Sequence, residues 1–169
     1  TGLNDLGWYC SNSSSRIQPV ARKTPNAFGL YDMHGNVSEW TQSRYDANYY
    51  QSLGSINLDP QDTSSSSLQE TRGGSWNDTA VNCRSATRNG IDPTQGVNSV
   101  GFRPVRRAFA KIPAGEFSMG SPIGELGQLI NETPQREVLL TKPFWMNRTE
   151  VSQAEYEAMT NTNPSFFSS

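Results

Sequence analysis

The sequence predicts a mixed α+β fold of short strands, tight turns and long loops, with few helices. Hydrophobic residues make up only 34% and charged residues 18% of the chain, while Gly, Pro, Ser, Asn and Thr are abundant, a balance that favours loops over a helical bundle. Apolar residues fall in short runs broken by Gly, Pro or Asn, and the best helix signature lies in one place, near residues 152–160. The length of 169 residues supports one domain with a real core and is short for two.

Residues 1–15 are polar and turn-rich, with Trp8 and Tyr9 as the large anchors, and read as an irregular segment. From Pro25 to Trp40, the apolar positions Phe28, Leu30, Tyr31, Met33, Val37 and Trp40 are interrupted by Gly29 and by Gly35-Asn36. This predicts a short strand or turn, a tight Gly-Asn turn, and a strand starting near Val37. The stretch from Gln42 to Thr71 carries Tyr45, Tyr49, Tyr50 and a serine run, Ser64 to Ser67, and reads as a long surface loop, a place where function concentrates. An extended segment resumes at Arg72-Gly73-Gly74-Ser75-Trp76, Cys83 to Arg88 reads as a second short strand, and Val100-Gly101-Phe102-Arg103 as a closing one. After Arg107 the pattern begins afresh: Ile112 to Gly120 alternates around Pro113-Ala114-Gly115 as a hairpin strand, and Val138–Leu140 and Phe144–Met146 read as two more. Ser152 as N-cap with Glu155 three residues on is a capping-box spacing, so a helix begins there and should stop before Asn163-Pro164.

The net charge of -2 is spread over interspersed Lys, Arg, Asp and Glu, with no basic surface of the kind that neutralises phosphates, so nucleic acid is not an expected partner. Runs such as Val138-Leu139-Leu140 are far too short to span a bilayer, and no charged n-region followed by an apolar stretch opens the chain, which reads as soluble and already trimmed. Two cysteines, Cys10 and Cys83, allow one disulfide; its long loop would be worth roughly 4 kcal/mol in the chain-entropy account. Pairing would point to an exported or periplasmic protein, and two buried free thiols in a reducing compartment are the alternative. Asn-x-Ser/Thr triplets begin at Asn12, Asn36, Asn77, Asn131 and Asn147, a number expected by chance in so Asn-, Ser- and Thr-rich a chain.

Two blocks carry a specific resemblance. The first is Pro25-Asn26-Ala27-Phe28-Gly29-Leu30-Tyr31-Asp32-Met33-His34-Gly35-Asn36-Val37-Ser38-Glu39-Trp40, followed by Arg72-Gly73-Gly74-Ser75-Trp76, Cys83-Arg84-Ser85-Ala86-Thr87-Arg88 and Gly101-Phe102-Arg103. The second is Ile112-Pro113-Ala114-Gly115-Glu116-Phe117-Ser118-Met119-Gly120-Ser121 with Glu150-Val151-Ser152. Together they resemble the formylglycine-generating enzyme, or sulfatase-modifying factor, family. The resemblance implies a C-type-lectin-like domain: small twisted antiparallel sheets, few helices and long loops. In relatives the second block opens the domain and the first closes it, with a central segment between them that is absent here. Residues 1–107 thus carry the closing half-signature and 108–169 the opening one, together one domain. A circular permutation with a deletion, a junction of tandem repeats, or a chain pieced from fragments would each give this order. Loss of the central segment would uncover core surface, so a homo-oligomer or exchanged-element dimer is expected.

The resemblance also sets the chemistry to be looked for. Catalytic members hold copper(I) with two cysteines soon after the Arg-Gly-Gly-Ser block, as soft thiolates suit that ion. Here the stretch Asn77 to Asn82 contains no sulfur, so copper is not expected, and an oxidase would have to use Cys83 with the distant Cys10. A three-histidine iron site of a related branch is ruled out by a single histidine, His34, which reads as a turn residue. The family's Gly-Asn-x-x-Glu-Trp segment implies a structural calcium bound by His34 or Gly35, Asn36, Val37 and Glu39, hard oxygen donors from a tight turn. The alternative is that Glu39 bonds neighbouring backbone while Asn36 takes a left-handed turn. Arg72, Arg84, Arg88 and Arg103 read chiefly as loop braces bonded to Asp32, Asp78 or backbone carbonyls, with recognition of an anion or peptide carboxylate the alternative, and Trp8, Trp40 and Trp76 read as core anchors. The loops 77–82 and 89–99, rich in short polar residues that bond adaptably, give candidate ligand contacts at Trp76, Asn77, Asp78, Thr79, Asn82, Asn89 and Asp92. In some lectin-like members a similar stretch is the hypervariable ligand-contacting region. The expected function is a non-catalytic module binding a protein or glycan; the alternatives are a copper-dependent oxidase of cysteine peptides and a structural fragment working only in an oligomer.

Overall fold

The computed structural model describes residues 2–54, 56–58, 60–104 and 110–162. The boundary read at 107–108 lies outside them, as do Asn163 and Pro164. No described helix is long and apolar enough to cross a membrane.

The first half is organised around a four-stranded sheet. Strands β3 (Ser38–Arg44), β5 (Gln69–Arg72), β6 (Arg88–Ile91) and β7 (Val100–Gly101) lie in the order β6-β5-β3-β7. The register sets Arg72 opposite both Glu39 and Arg88, and Glu39 beside Gly101, so the family-signature charges share one level of the sheet. Ahead of it, α1 (Leu3–Leu6) runs into β1 (Gly7–Trp8), which pairs in parallel with β2 (His34–Gly35). That contact explains Gly35: at φ 93 a Cβ would sit 2.0 Å from the Trp8 carbonyl oxygen, which no side chain tolerates.

Residues 110–162 contribute two smaller sheets. β8 (Ala110–Ile112) pairs with β11 (Phe144–Met146), while β9 (Gly115–Met119) pairs with β10 (Arg136–Leu140). The Pro113-Ala114 turn therefore separates strands of different sheets, and the expected hairpin strand divides there. β10 also pairs in parallel with β4 (Ile56–Leu58), tying the two halves into one sheet. The final helix α3 (Gln153–Thr160) has its capping box as read: Ser152 accepts from the Glu155 amide, the Glu155 carboxylate returns to the Ser152 amide, and Asn161 closes it at φ 56.

Two readings are corrected. The stretch from Gln42 to Thr71 is not one loop, because β3 continues to Arg44 and α2 (Tyr49–Ser52), β4 and the start of β5 follow; Tyr50, 1% exposed, anchors it. Cys83 to Arg88 is not a strand: a 3-10 turn covers Ala80–Cys83 and β6 starts only at Arg88.

The interior is unusually polar. Among the described residues, Leu30, Val37, Tyr50, Cys83, Ala110 and Val138 are the buried apolar side chains, against fifteen buried polar or charged ones. Such an interior holds only if those groups find partners; Glu70, Ser121 and Glu132 find theirs in arginines, and Ser13, Asp32 and Asn36 bond the backbone.

Candidate functional site

The Gly73-Gly74-Ser75-Trp76 turn leaves β5 and feeds the loop 77–82. Gly74, at φ 69, lies so close to the returning chain that a Cβ would meet the Asn82 carbonyl oxygen at 2.6 Å and the Cys83 sulfur at 2.9 Å. The loop is also braced from within. Asp78 Oδ2 accepts from the Ser75 amide (2.9 Å) and hydroxyl (2.5 Å), and Ser75 Oγ lies 2.6 Å from Asn77 Oδ1. The Trp76 amide donates to the Asn36 carbonyl, and the Cys10 amide to that of Asp78. Asn77, Thr79 and Ala80 remain exposed on this frame, while Trp76, Asp78 and Asn82 are half-buried.

Cys83 closes the loop inward. It is 1% exposed, its sulfur lies 3.8 Å from the Ser75 carbonyl oxygen, and its own carbonyl lies 2.9 Å from His34 Nδ1. Burial first, and the Asp78 carboxylate second, push its thiol up to about 12, so it is neutral at physiological pH. Cys10 is a free, exposed thiol, and the cross-link considered from sequence is not formed: one sulfur faces solvent beside Ser11 and the other faces the interior.

The remaining sequence-derived ligand candidates do not join this loop. Asn89 lies within β6, where its carbonyl accepts from Thr71 Oγ1 (3.5 Å). Asp92 follows the opposite end of that strand, past the Ile91↔Gln69 pair, three residue steps or roughly 10 Å from the Arg88 end. There it forms its own turn, accepting from the Thr94 amide and hydroxyl, bonds that hold its carboxyl below the usual range. The candidate surface is therefore the loop 77–82, with Asp92 a separate feature.

The calcium set is tested by what its donors already do. Both Glu39 oxygens accept from Arg103 Nε at 2.9 and 3.0 Å. Asn36 takes the left-handed conformation, φ 64, its Oδ1 accepts from the Gln18 amide (3.0 Å), and its amide group faces Glu150 (3.5 Å). Gly35 and Val37 add only backbone groups. A calcium ion takes six to eight oxygens, so in this arrangement the Gly35 and Val37 carbonyls would have to be joined by Glu39 and Asn36 oxygens that now accept from Arg103 and Gln18.

The four arginines form the frame, but their carboxylate partners are glutamates and not Asp32 or Asp78, which accept from Ala21 and Ser75. Arg72 and Arg88 share Glu70; Arg84 forks onto Glu132 at 2.8 and 3.1 Å; Arg103 holds Glu39 and donates to the Tyr31 and Asn147 carbonyls. Glu150, 1% exposed, lies 3.9 Å from Arg103, and burial, then Asp32 and Glu39, push its carboxyl up to about 9. No local pattern in the sequence joins Glu70 or Glu132 to a particular arginine; the register of β5 and the 3-10 turn at Ile130–Glu132 do so. Asn36 and Asn131, 1% and 6% exposed, are also closed to glycosylation.

Comparison with known proteins agrees with this architecture. Over 90 residues, 53% of the chain, it is 33% identical to "Serine/threonine-protein kinase pkn1" of Chlamydia caviae, covering 15% of that protein. It is 34% identical over 93 residues to "Inactive C-alpha-formylglycine-generating enzyme 2" of Bos taurus, covering 26% of it. The chain thus spans about a quarter or less of these relatives. Among solved structures, Treponema denticola variable protein 1 superposes with a TM-score of 0.51 at 35% identity, over 59% of this chain and 35% of that one. The family described as "Sulfatase-modifying factor enzyme 1-like domain" matches residues 1–108 and 107–165. On these matches and on its loop-rich, few-helix architecture, the chain belongs to the sulfatase-modifying factor enzyme 1-like domain family.

Proposed function

We propose that the chain is a non-catalytic binding module of this family, taking a protein or glycan ligand on the loop 77–82. One observation carries the reading. The loop is held rigidly by Gly74, Ser75 and Asp78 and presents Asn77 and Thr79 outward, while of the two cysteines beside it Cys83 is buried and neutral and only Cys10 is exposed. A rigid base carrying short polar side chains suits recognition by adaptable hydrogen bonds. Copper(I) chemistry would ask for two accessible thiolates. The bovine relative's name, an inactive enzyme, points the same way.

The test pairs a gain with a loss. The fluorescently labelled chain is applied to a glycan array and to a displayed peptide library, and an Asn77→Ala/Thr79→Ala variant is compared at equal folded concentration. Binding by the parent that drops at least tenfold in the variant supports the module; equal binding by both places the ligand elsewhere. In parallel, the chain is incubated with copper(I), oxygen and a peptide bearing a sulfatase-type cysteine motif. No change in peptide mass is expected, and conversion of the cysteine would establish the oxidase instead.

A further inference from the structure

Opposite charges set directly across two strands ordinarily attract one another, and one such pair here stays apart. Glu39 on β3 stands opposite Arg72 on β5, which puts both side chains on one face of the sheet. Each is nevertheless taken up elsewhere, Glu39 by Arg103 and Arg72 by Glu70, the Tyr50 hydroxyl and the Ser85 and Ala86 carbonyls. Both line a cavity of about 230 Å³, together with Met33, Gly73, Asn26, His34 and Ser85. Asn26 and Ser85 are exposed, so the cavity opens to solvent.

Acceptors and donors are both left over around it. His34 Nδ1 lies 2.9 Å from the Cys83 carbonyl oxygen. A carbonyl only accepts, so Nδ1 carries the proton, and Nε2 of the neutral ring remains an acceptor with no partner among the described residues. Glu39 makes three contacts with Arg103, against about four lone-pair sites on a carboxylate. On the donor side, Arg72 makes four contacts with about five N–H groups to give. The Asn26 side-chain oxygen accepts from the Phe28 and Leu30 amides, while its nitrogen, like Ser85 Oγ, meets no described group.

The charges around the cavity are already balanced, Glu39 by Arg103 and Arg72 by Glu70. A charged ligand would therefore give up its hydration for little Coulombic return. A neutral hydroxyl answers both kinds of leftover group, since it donates once and accepts twice. Gly73 leaves space for a ring beside it: a Cβ there would meet nothing nearer than the Met33 carbonyl oxygen at 3.4 Å. At about 230 Å³ the cavity falls below the roughly 300–1,000 Å³ of sites for drug-sized ligands, a size for one small ring. We propose that it binds a single neutral sugar ring, whose hydroxyls donate to Glu39 and His34 Nε2 and accept from Asn26, Arg72 and Ser85. The site lies beyond the end of the loop 77–82 and is independent of what that loop binds.

Amide chemical shifts of the isotope-labelled chain provide the test, with D-glucose, D-galactose, D-mannose and N-acetyl-D-glucosamine each added to about 50 mM. At least one of them should shift the amides of Met33, His34, Gly73 and Ser85, with a dissociation constant of about 5 mM or tighter. N-acetylneuraminic acid and D-glucosamine, which carry a charge, should bind at least about tenfold more weakly than the best neutral sugar. Ser85→Phe, at an exposed position on the cavity, should raise the dissociation constant at least about tenfold, and the Asn77→Ala/Thr79→Ala variant should leave it unchanged. Should Ser85→Phe fail to fold, Ser85→Ala serves in its place, with a loss of about threefold for one hydrogen bond. The proposal is overturned if none of the four sugars shifts those amides, if the shifts are confined to residues 77–82, if the Ser85 variant binds as the parent does, or if a charged sugar binds as tightly as the neutral ones.

Discussion

Replacing Glu70 by Gln should be among the most damaging single changes in this chain. Glu70 is 4% exposed and stands between two arginines. Arg72 Nε lies 2.5 Å from one of its oxygens. Arg88 Nε donates to the other at 2.8 Å, with Arg88 Nη2 2.7 Å away, in ion contact but off the hydrogen-bonding direction. The Arg88 side chain is 0% exposed and its guanidinium also lies 4.5 Å from the Tyr50 ring centroid. Gln keeps the shape and removes the charge, leaving Arg88 buried without a counterion, a change that typically costs about 3–5 kcal/mol. That is a large part of a usual total of roughly 5–15 kcal/mol. Urea unfolding followed by fluorescence gives the loss, with an unchanged m-value showing that the denatured state is the same. The double variant Glu70→Leu/Arg88→Met removes the more buried pair and should recover part of the loss, because an apolar pair of similar volume avoids the desolvation cost, while Arg72 keeps its bonds to the Ser85 and Ala86 carbonyls. A Glu70→Gln loss below about 1 kcal/mol, or a double variant as unstable as the sum of its single changes, would refute the view that this ion pair completes the core.

Three further outcomes follow from the site. With a disulfide-exchange reagent near pH 8, one thiol per native chain should react quickly, that of exposed Cys10, and the second only on unfolding, since the buried Cys83 thiol is pushed up to about 12; two fast thiols would disprove the burial. Glu150 carries a folded pKa of about 9 against an ordinary 4.5, so the folded state holds its proton more tightly than the unfolded state. Its favourable contribution is complete below about pH 4.5 and is lost as pH rises towards 9. Asp32 and Glu39 face it with Arg103 and keep their own dependence in both proteins. Glu150→Gln should therefore gain on the parent by up to about 4 kcal/mol between roughly pH 5 and pH 8, at about 1.4 kcal/mol per unit, and parallel pH–stability curves would contradict the assignment. Millimolar calcium should leave the melting temperature within about 1 °C of the chelated sample, because a ligand at 100 times its Kd would stabilise by about 2.7 kcal/mol and move the transition by several degrees; such a rise would show that Glu39 can leave Arg103 for the ion.

What the sequence made legible was local. The α3 cap needs only Ser152 and Glu155, three residues apart, and it forms as read. The Gly35-Asn36 turn was visible because both residues favour positive φ, and both adopt it. Strand existence was readable at Ile112–Met119 from alternation, but the choice of partners was not: β8 and β9 go to different sheets because β10 and β11 arrive from 136–146. Cys83 to Arg88 mimics a strand since Cys83, Thr87 and Arg88 are buried, yet Cys83 is drawn inward by a 3-10 turn against Gly74. The loop 77–82 was placed from its composition, whereas its separation from Asp92 depends on the direction of β6. The family resemblance located the four arginines, but the partners read for them, Asp32 and Asp78, are not the carboxylates they meet. Glu70 and Glu132 stand in unremarkable polar surroundings, and only tertiary register brings Glu132 across from Arg84, 48 residues away in sequence.

The polar contacts between residues 2–104 and 110–162 bear on how the two segments keep their alignment. Buried ion pairs add little net stability compared with apolar packing, because each charge gives up its hydration. Their influence lies in what they forbid. If 110–162 slid along the seam by one residue, Glu132, 0% exposed, would lose Arg84 while staying desolvated. Arg88 would simultaneously lose the Asn131 carbonyl. Each orphaned charge costs several kcal/mol, whereas an apolar seam of similar area would shift register at the cost of a few contacts. With β4 offering only three residues to β10, backbone pairing specifies register weakly. The arginines therefore set the alignment, and any half-domain that docks here must present acceptors at the positions of Asn131, Glu132 and Asn147.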